Sequence, residues 1–180
     1  MALDAARIVR PGTRLGVDVG SVRVGVATCD PGGVLATPVE TLRRGREDVT
    51  RLAGLVTERE AIEVVVGLPT SLSGRAGPAA RAAEEYAAEL AGRVGVPVRL
   101  VDERFSTVGA QRELRASGVD TRTGRGVIDQ AAAVIILQGA LDTERATGTA
   151  PGRLVEPARD GDPPRGGHRA GTGNDVRGEE

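Results

Sequence analysis

Three acidic residues, Asp18, Glu103 and Asp129, lie where a folded chain could bring their carboxylates together. Asp18 interrupts an apolar run, Glu103 follows another, and Asp129 begins an alanine-rich segment. Clustered carboxylates repel one another unless a cation neutralises them, and oxygen-only ligation suits Mg²⁺ or Mn²⁺. Two such ions can hold a phosphodiester, activate a bound water and stabilise the leaving oxygen. This trio is therefore compatible with metal-dependent phosphodiester hydrolysis.

Each carboxylate also has a purely structural interpretation. Asp18 and Gly20 could form a turn, Glu103 could end a strand, and Asp129 could be stabilised by the positive end of a helix. Strand alternation instead places Asp18 on one face with Gly16 and Gly20, which leaves room for a close approach. Sites in open α/β sheets form beyond the carboxyl ends of the strands, and this topology favours the chemical interpretation.

The surrounding pattern predicts the elements that position the trio. Strands are expected at about 14–19, 22–28, 34–41, 62–67 and 96–102, and helices at about 47–59, 78–94, 106–118 and 128–145. The first three strands form an antiparallel meander, and two parallel strands follow through helical crossovers. The prediction is an α/β fold with a five-stranded mixed sheet and helices on both faces.

The ends of the chain differ in composition from its centre. Residues 149–180 are rich in Gly, Pro and charge, which predicts a disordered tail. Residues 1–12 are expected to be flexible. A single domain over 13–148 remains between them.

Composition excludes several classes of chemistry. The single histidine, His168, lies in the tail, and the single cysteine is Cys29, which excludes a Ser-His triad and a cysteine metal cluster. All 24 cationic residues are arginine, and the formal net charge is −1, so any basic surface must be local. Aromatic residues are too few to stack bases in a row. No apolar stretch resembles a secretory signal or a membrane span, and we expect a cytoplasmic protein without a membrane partner.

Four segments resemble, in order and spacing, the signature blocks of the bacterial YqgF family: LGVDVGSVRVGVA, VVVGLPTSLSG, VDERFST and VIDQAAAVIILQ. The resemblance covers about residues 13–145, and DERFST is its most specific part. It implies a ribonuclease H-like fold, with Asp18, Glu103 and Asp129 as the catalytic and metal-binding positions. It also implies a nucleic-acid substrate, because family members are described as pre-16S rRNA nucleases and as Holliday-junction-resolvase-like proteins.

The residues expected to hold the backbone phosphates of the substrate lie in two segments. They are Ser71 and Ser73 in the first, and Arg104, Arg112, Arg115, Arg122 and Arg125 in the second. The family usually carries Asn or Asp where the two serines stand, and Val127 replaces a frequent lysine. Both departures predict a weaker or redistributed phosphate grip.

Other functions fit parts of this pattern. A resolvase of four-way DNA junctions would use the same chemistry but would need a dimer, and no dimer surface is evident, so we expect a monomer or a weak homodimer. DVGSVRVGVA also resembles the first phosphate loop of actin-like and sugar-kinase-like proteins, but those proteins bind nucleotide between two domains. A noncatalytic factor in transcription or ribosome assembly would not need all three carboxylates.

Overall fold

The structure, a computed structural model, describes residues 9–69, 77–103 and 125–158, with side chains in the last range described from Asp129 onward. The predicted helix at 106–118 lies outside these ranges. In chain order the elements are β1 (Arg14–Val19), β2 (Arg23–Cys29), β3 (Ala36–Arg43), α1 (Asp48–Glu58), β4 (Glu63–Leu68), α2 (Pro78–Ala91), β5 (Val98–Asp102), α3 (Arg125–Thr147) and β6 (Arg153–Leu154).

The strands form one mixed sheet in the order β3-β2-β1-β4-β5-β6. The meander β1–β2–β3 is antiparallel, while β1, β4 and β5 run parallel to one another. The predicted meander and the two parallel strands are therefore confirmed. The sheet has six strands instead of five, because β6 pairs antiparallel with β5.

Alternation along the strands divides the core into two layers. Leu15 and Val17 of β1 pack with α1 and α2 on one face of the sheet. The opposite face packs against α3 through small residues such as Ala133, together with Leu137. Helices thus cover both faces, as predicted, and α3 lies on the face that carries Asp18.

The folded part of the chain extends beyond both predicted domain boundaries. At the N-terminal side Val9 is buried, and the Gly12 N–H donates to the Pro31 carbonyl at 2.8 Å. At the C-terminal side Val155 is buried, and its N–H donates to the Val98 carbonyl at 2.9 Å. Parts of 9–12 and 149–158 thus pack on the domain, beyond the predicted boundaries, while 1–8 and 159–180 lie outside the described residues.

The short strand β6 depends on a glycine. Gly152 has φ +68°, a conformation that disfavours any side chain, and a Cβ there would overlap the Leu100 carbonyl. This glycine lets the chain turn tightly against β5, so a segment of tail-like composition completes the sheet.

Candidate active site

The site is built on the face of the sheet that α3 covers, at the carboxyl ends of the parallel strands. Asp18 lies near the end of β1 and is 4% exposed. Two residues earlier, Gly16 faces α3 so closely that a Cβ there would lie 2.6 Å from the Leu137 Cβ. This contact agrees with the predicted orientation of Gly16, and Asp18 shares the face because its cross-strand partner Gly25 also faces α3.

Gly25 brings the start of α3 next to Asp18. It is the cross-strand partner of Asp18 on β2. A Cβ at Gly25 would overlap the Asp129 carbonyl, so the first turns of α3 rest directly on the backbone of β2. The Gln130 Nε2 donates to Thr41 Oγ1 on β3 at 3.2 Å and fixes the same end of the helix.

Gly67 of β4 leaves the space through which the Glu103 side chain approaches Asp18. Gly67 follows Val66, which pairs with Val17 of β1, so it lies beside Asp18. A Cβ at Gly67 would lie 2.8 Å from Glu103 Oε1, which shows that the Glu103 side chain extends over β4. Glu103 is 4% exposed. Two glycines on the neighbouring strands therefore make the space in which the three acidic positions converge.

The Asp129 carboxylate faces a cation of the protein. Its Oδ2 lies 3.7 Å from Arg23 Nη1, and its side chain is 23% exposed. Within the described ranges, no group of three His, Cys, Asp or Glu side chains is arranged to hold a metal ion. The structure thus brings the Glu103 side chain over β4 beside Asp18 and the Asp129 backbone onto Gly25, while the Asp129 carboxylate faces Arg23.

The donor set nevertheless fits a hard divalent cation in its chemistry. Asp18 and Glu103 supply carboxylate oxygens from buried positions, which are costly for charge unless a cation or hydrogen bonds compensate. Binding of an ion by all three would bring the metal to the carboxylate that now faces Arg23.

The segments that were predicted to hold phosphates are mostly not described. Ser71, Ser73, Arg104, Arg112, Arg115 and Arg122 lie outside the described residues. Arg125 is the first residue of α3, but its side chain is outside them as well. Their phosphate-binding role stays a prediction.

The sequence analysis missed Arg23, which lies in the block that contains Asp18. The signal was available in the hairpin register. The Gly20 N–H donates to the Arg23 carbonyl at 2.8 Å, so a tight turn brings Arg23 back beside the end of β1. Alternation then places Arg23 and Gly25 on the face of Asp18.

A buried ionic network anchors α3 at the other end of the sheet. Glu144, near the C-terminal end of α3, accepts hydrogen bonds from Arg10 Nε at 2.7 Å and from Arg14 Nη2 at 3.2 Å. Glu63 accepts from Arg10 Nη2 at 2.9 Å and from Arg99 Nε at 2.8 Å. Burial acts to raise the pKa of Glu144, but the hydrogen bonds from Arg10 and the charge of Arg14 outweigh it, so this pKa lies below the ordinary glutamate value.

Comparison with known proteins identifies the family. The model described as "RuvX: Holliday junction resolvase" matches residues 12–143. This chain belongs to that family. The prediction made from the four sequence blocks is thereby confirmed.

Relatives and a solved structure agree with this assignment. The chain is 57% identical over 154 residues to a Nocardioides protein named "Putative pre-16S rRNA nuclease". The match covers 82% of this chain and 99% of that protein. A Streptomyces coelicolor protein of the same name is 60% identical over 152 residues, with 82% and 90% covered. Thermus thermophilus RuvC, solved in complex with a Holliday junction substrate, is 12% identical with a TM-score of 0.52, and the match covers 79% of this chain and 99% of RuvC. This structural likeness shows a common, ribonuclease H-like fold. No helix in the described ranges is long and apolar enough to cross a membrane.

Proposed function

We propose that this protein is a metal-dependent endonuclease that processes the 5′ end of pre-16S rRNA in the cytoplasm. The observation that carries the proposal is that Glu103 Oε1 lies over Gly67, next to Asp18, while the backbone of Asp129 rests on Gly25, the cross-strand partner of Asp18. Family membership and the names of the relatives support the substrate class.

Asp18 and Glu103 would hold Mg²⁺ or Mn²⁺, and Asp129 would join them. Bound ions, one or two, would activate water and stabilise the leaving oxygen of the phosphodiester. The chain's own part would be to hold the buried carboxylates of Asp18 and Glu103 on the same face of the sheet, where a bound cation would relieve their repulsion. The packing of α3 on Gly16 and Gly25 leaves no room for a side chain between the helix and the strands at these two positions.

The test is cleavage of matched substrates by the purified protein. We expect cleavage of precursor rRNA with Mg²⁺ or Mn²⁺ and none with EDTA. Asp18→Asn, Glu103→Gln and Asp129→Asn should each abolish cleavage without unfolding the protein, and each should weaken stabilisation by Mn²⁺. Full activity in any one variant would remove that residue from the site.

Four-way DNA junctions are the second candidate substrate. The description of the family model and the common fold with RuvC favour it. Junction DNA and linear DNA therefore belong in the same assay. Paired symmetric cuts of the junction by a dimer would favour resolution over rRNA processing. Binding of precursor rRNA without any cleavage would instead indicate a noncatalytic assembly factor.

A further inference from the structure

Two arginines face each other across the strand pair next to the acidic site. Arg23 of β2 and Arg43 of β3 are direct cross-strand partners. Both share the sheet face of Thr41, which accepts a hydrogen bond from Gln130 of α3. Like charges directly opposite each other on a sheet are destabilising. An anion bound between them would relieve this repulsion.

Within the described ranges, the acidic side chains compensate only part of the positive charge of this pair. Arg23 has Asp129 at 3.7 Å, which is a charge attraction beyond hydrogen-bond distance. Arg43 is exposed, and no acidic side chain of the described ranges pairs with it. The neighbouring Arg44 is different, because its Nε lies 3.3 Å from Asp48 Oδ2. The pair thus carries an excess of positive charge at the end of the sheet where Asp18 and Asp129 lie.

We propose that Arg23 and Arg43 bind one backbone phosphate of the nucleic-acid substrate, and that Arg23 exchanges Asp129 for this phosphate when a metal binds Asp129. This inference rests on the proposed function. Arginine suits the role because its guanidinium group binds phosphate oxygens in a bidentate way. A metal ion and the Arg23 guanidinium would compete for the Asp129 carboxylate. After the exchange, Asp129 would pair with the metal ion and Arg23 with the substrate phosphate.

The first test measures binding of labelled precursor rRNA by fluorescence anisotropy over a range of salt concentrations. All variants carry Glu103→Gln, which is expected to prevent cleavage of the RNA during the measurement. Arg43→Gln should weaken binding roughly three- to tenfold and lower the salt slope by about one. Arg43→Lys should keep most of the slope, because the charge remains. The matched control is Arg59→Gln, an exposed arginine after α1, away from the acidic end, which should leave binding unchanged.

The second test measures Mn²⁺ binding by calorimetry without nucleic acid. Arg23→Gln should raise the Mn²⁺ affinity, because it removes a positive charge next to Asp129, and Arg43→Gln should have a smaller effect. Arg23→Gln should weaken RNA binding as Arg43→Gln does, with melting curves to verify folding.

The outcomes distinguish a failure of the phosphate-binding proposal for Arg23 and Arg43 from a failure of the proposed nuclease function. If the unsubstituted protein cleaves RNA but Arg43→Gln binds it as Arg59→Gln does, the phosphate pair is refuted and the proposed function stands. An unchanged or lower Mn²⁺ affinity in Arg23→Gln refutes the exchange. If the unsubstituted protein neither binds nor cleaves any nucleic acid, both proposals fail.

Discussion

Replacement of Glu144 by glutamine should destabilise the protein strongly. The side chain is almost fully buried and accepts hydrogen bonds from the main-chain N–H and Nε of Arg10, at 3.0 and 2.7 Å. It also pairs with Arg14, whose own side chain is 1% exposed. Glutamine keeps the size of the group but removes its charge. The buried Arg14 guanidinium would then have Glu63 as its remaining acidic partner, 3.8 Å from its Nε.

The expected magnitude follows from this burial. Removal of one partner from a buried ion pair costs about 3–5 kcal/mol, because it leaves a charge that neither water nor a counter-charge compensates. Since Glu63 remains, we expect about 3 kcal/mol, a large part of the roughly 5–15 kcal/mol that stabilises a typical domain. The melting temperature should fall by about 6–12 °C.

Urea and thermal unfolding provide the assay, and an exposed ion pair provides the control. Glu58 Oε1 lies 2.6 Å from Arg51 Nη1, but these side chains are 56% and 43% exposed. Glu58→Gln makes the same chemical change in water and should cost less than about 1 kcal/mol. Equal, small losses in both variants would refute the reasoning from burial.

The pH dependence gives an independent measure of the same interaction. The pKa of Glu144 is lower in the folded protein than in the unfolded chain, because Arg10 and Arg14 favour the charged form despite the cost of burial. Its contribution to the free energy of unfolding is therefore complete above the ordinary glutamate pKa. It is lost as the pH falls through the lower pKa of the folded state. Glu144→Gln should flatten this part of the acid unfolding profile.

Three further changes test the packing around the site and at the edges of the fold. Gly67→Ala should lower the cleavage rate roughly 10- to 100-fold with the fold retained. The new Cβ would lie 2.8 Å from Glu103 Oε1 and would displace the Glu103 carboxylate. An unchanged cleavage rate would contradict this role of Gly67. Tyr86→Phe should raise the free energy of unfolding by about 1 kcal/mol in urea titration, since the buried hydroxyl has no hydrogen-bond partner in the described ranges. Truncation after residue 149 should cost about 2 kcal/mol, because it removes β6 and the buried Val155, whereas truncation after residue 158 should leave the melting temperature unchanged.

The sequence was sufficient to predict the central sheet and the placement of Asp18. Alternation of Leu15, Gly16 and Val17 is a local property, and burial on both faces enforces it. The convergence of Glu103 on the same end follows from parallel pairing of β1, β4 and β5, which helical crossovers imply.

The strand β6 could not be predicted from composition, because its contribution depends on few side chains. Leu154 is exposed, and the buried residues of this segment are Pro151 and Val155. The strand forms because the edge of β5 offers unpaired backbone groups, and because Gly152 can adopt the required turn. The average composition of residues 149–180 does not reveal such a short ordered segment.

The contact between Arg23 and Asp129 was also beyond the sequence, since it depends on how far α3 slides along the sheet. Small residues on both sides allow a close approach, but they do not by themselves select one position along the helix axis. Packing of Leu137 over Gly16 supplies part of that selection. Directional ionic contacts at the far end of the helix supply another part.

The buried ionic network and the acidic site are therefore connected through one helix. Asp129 and Glu144 lie at opposite ends of α3, and fifteen residues of helix span about 22 Å. Buried ion pairs add little net stability compared with well-packed apolar side chains, and their best-attested use is to fix register. Here Glu144 meets the guanidinium of Arg14 at 3.2 Å in the observed position of the helix along β1. The same position places the Asp129 carbonyl against Gly25, so the charges at one end of the sheet help to determine the geometry at the other.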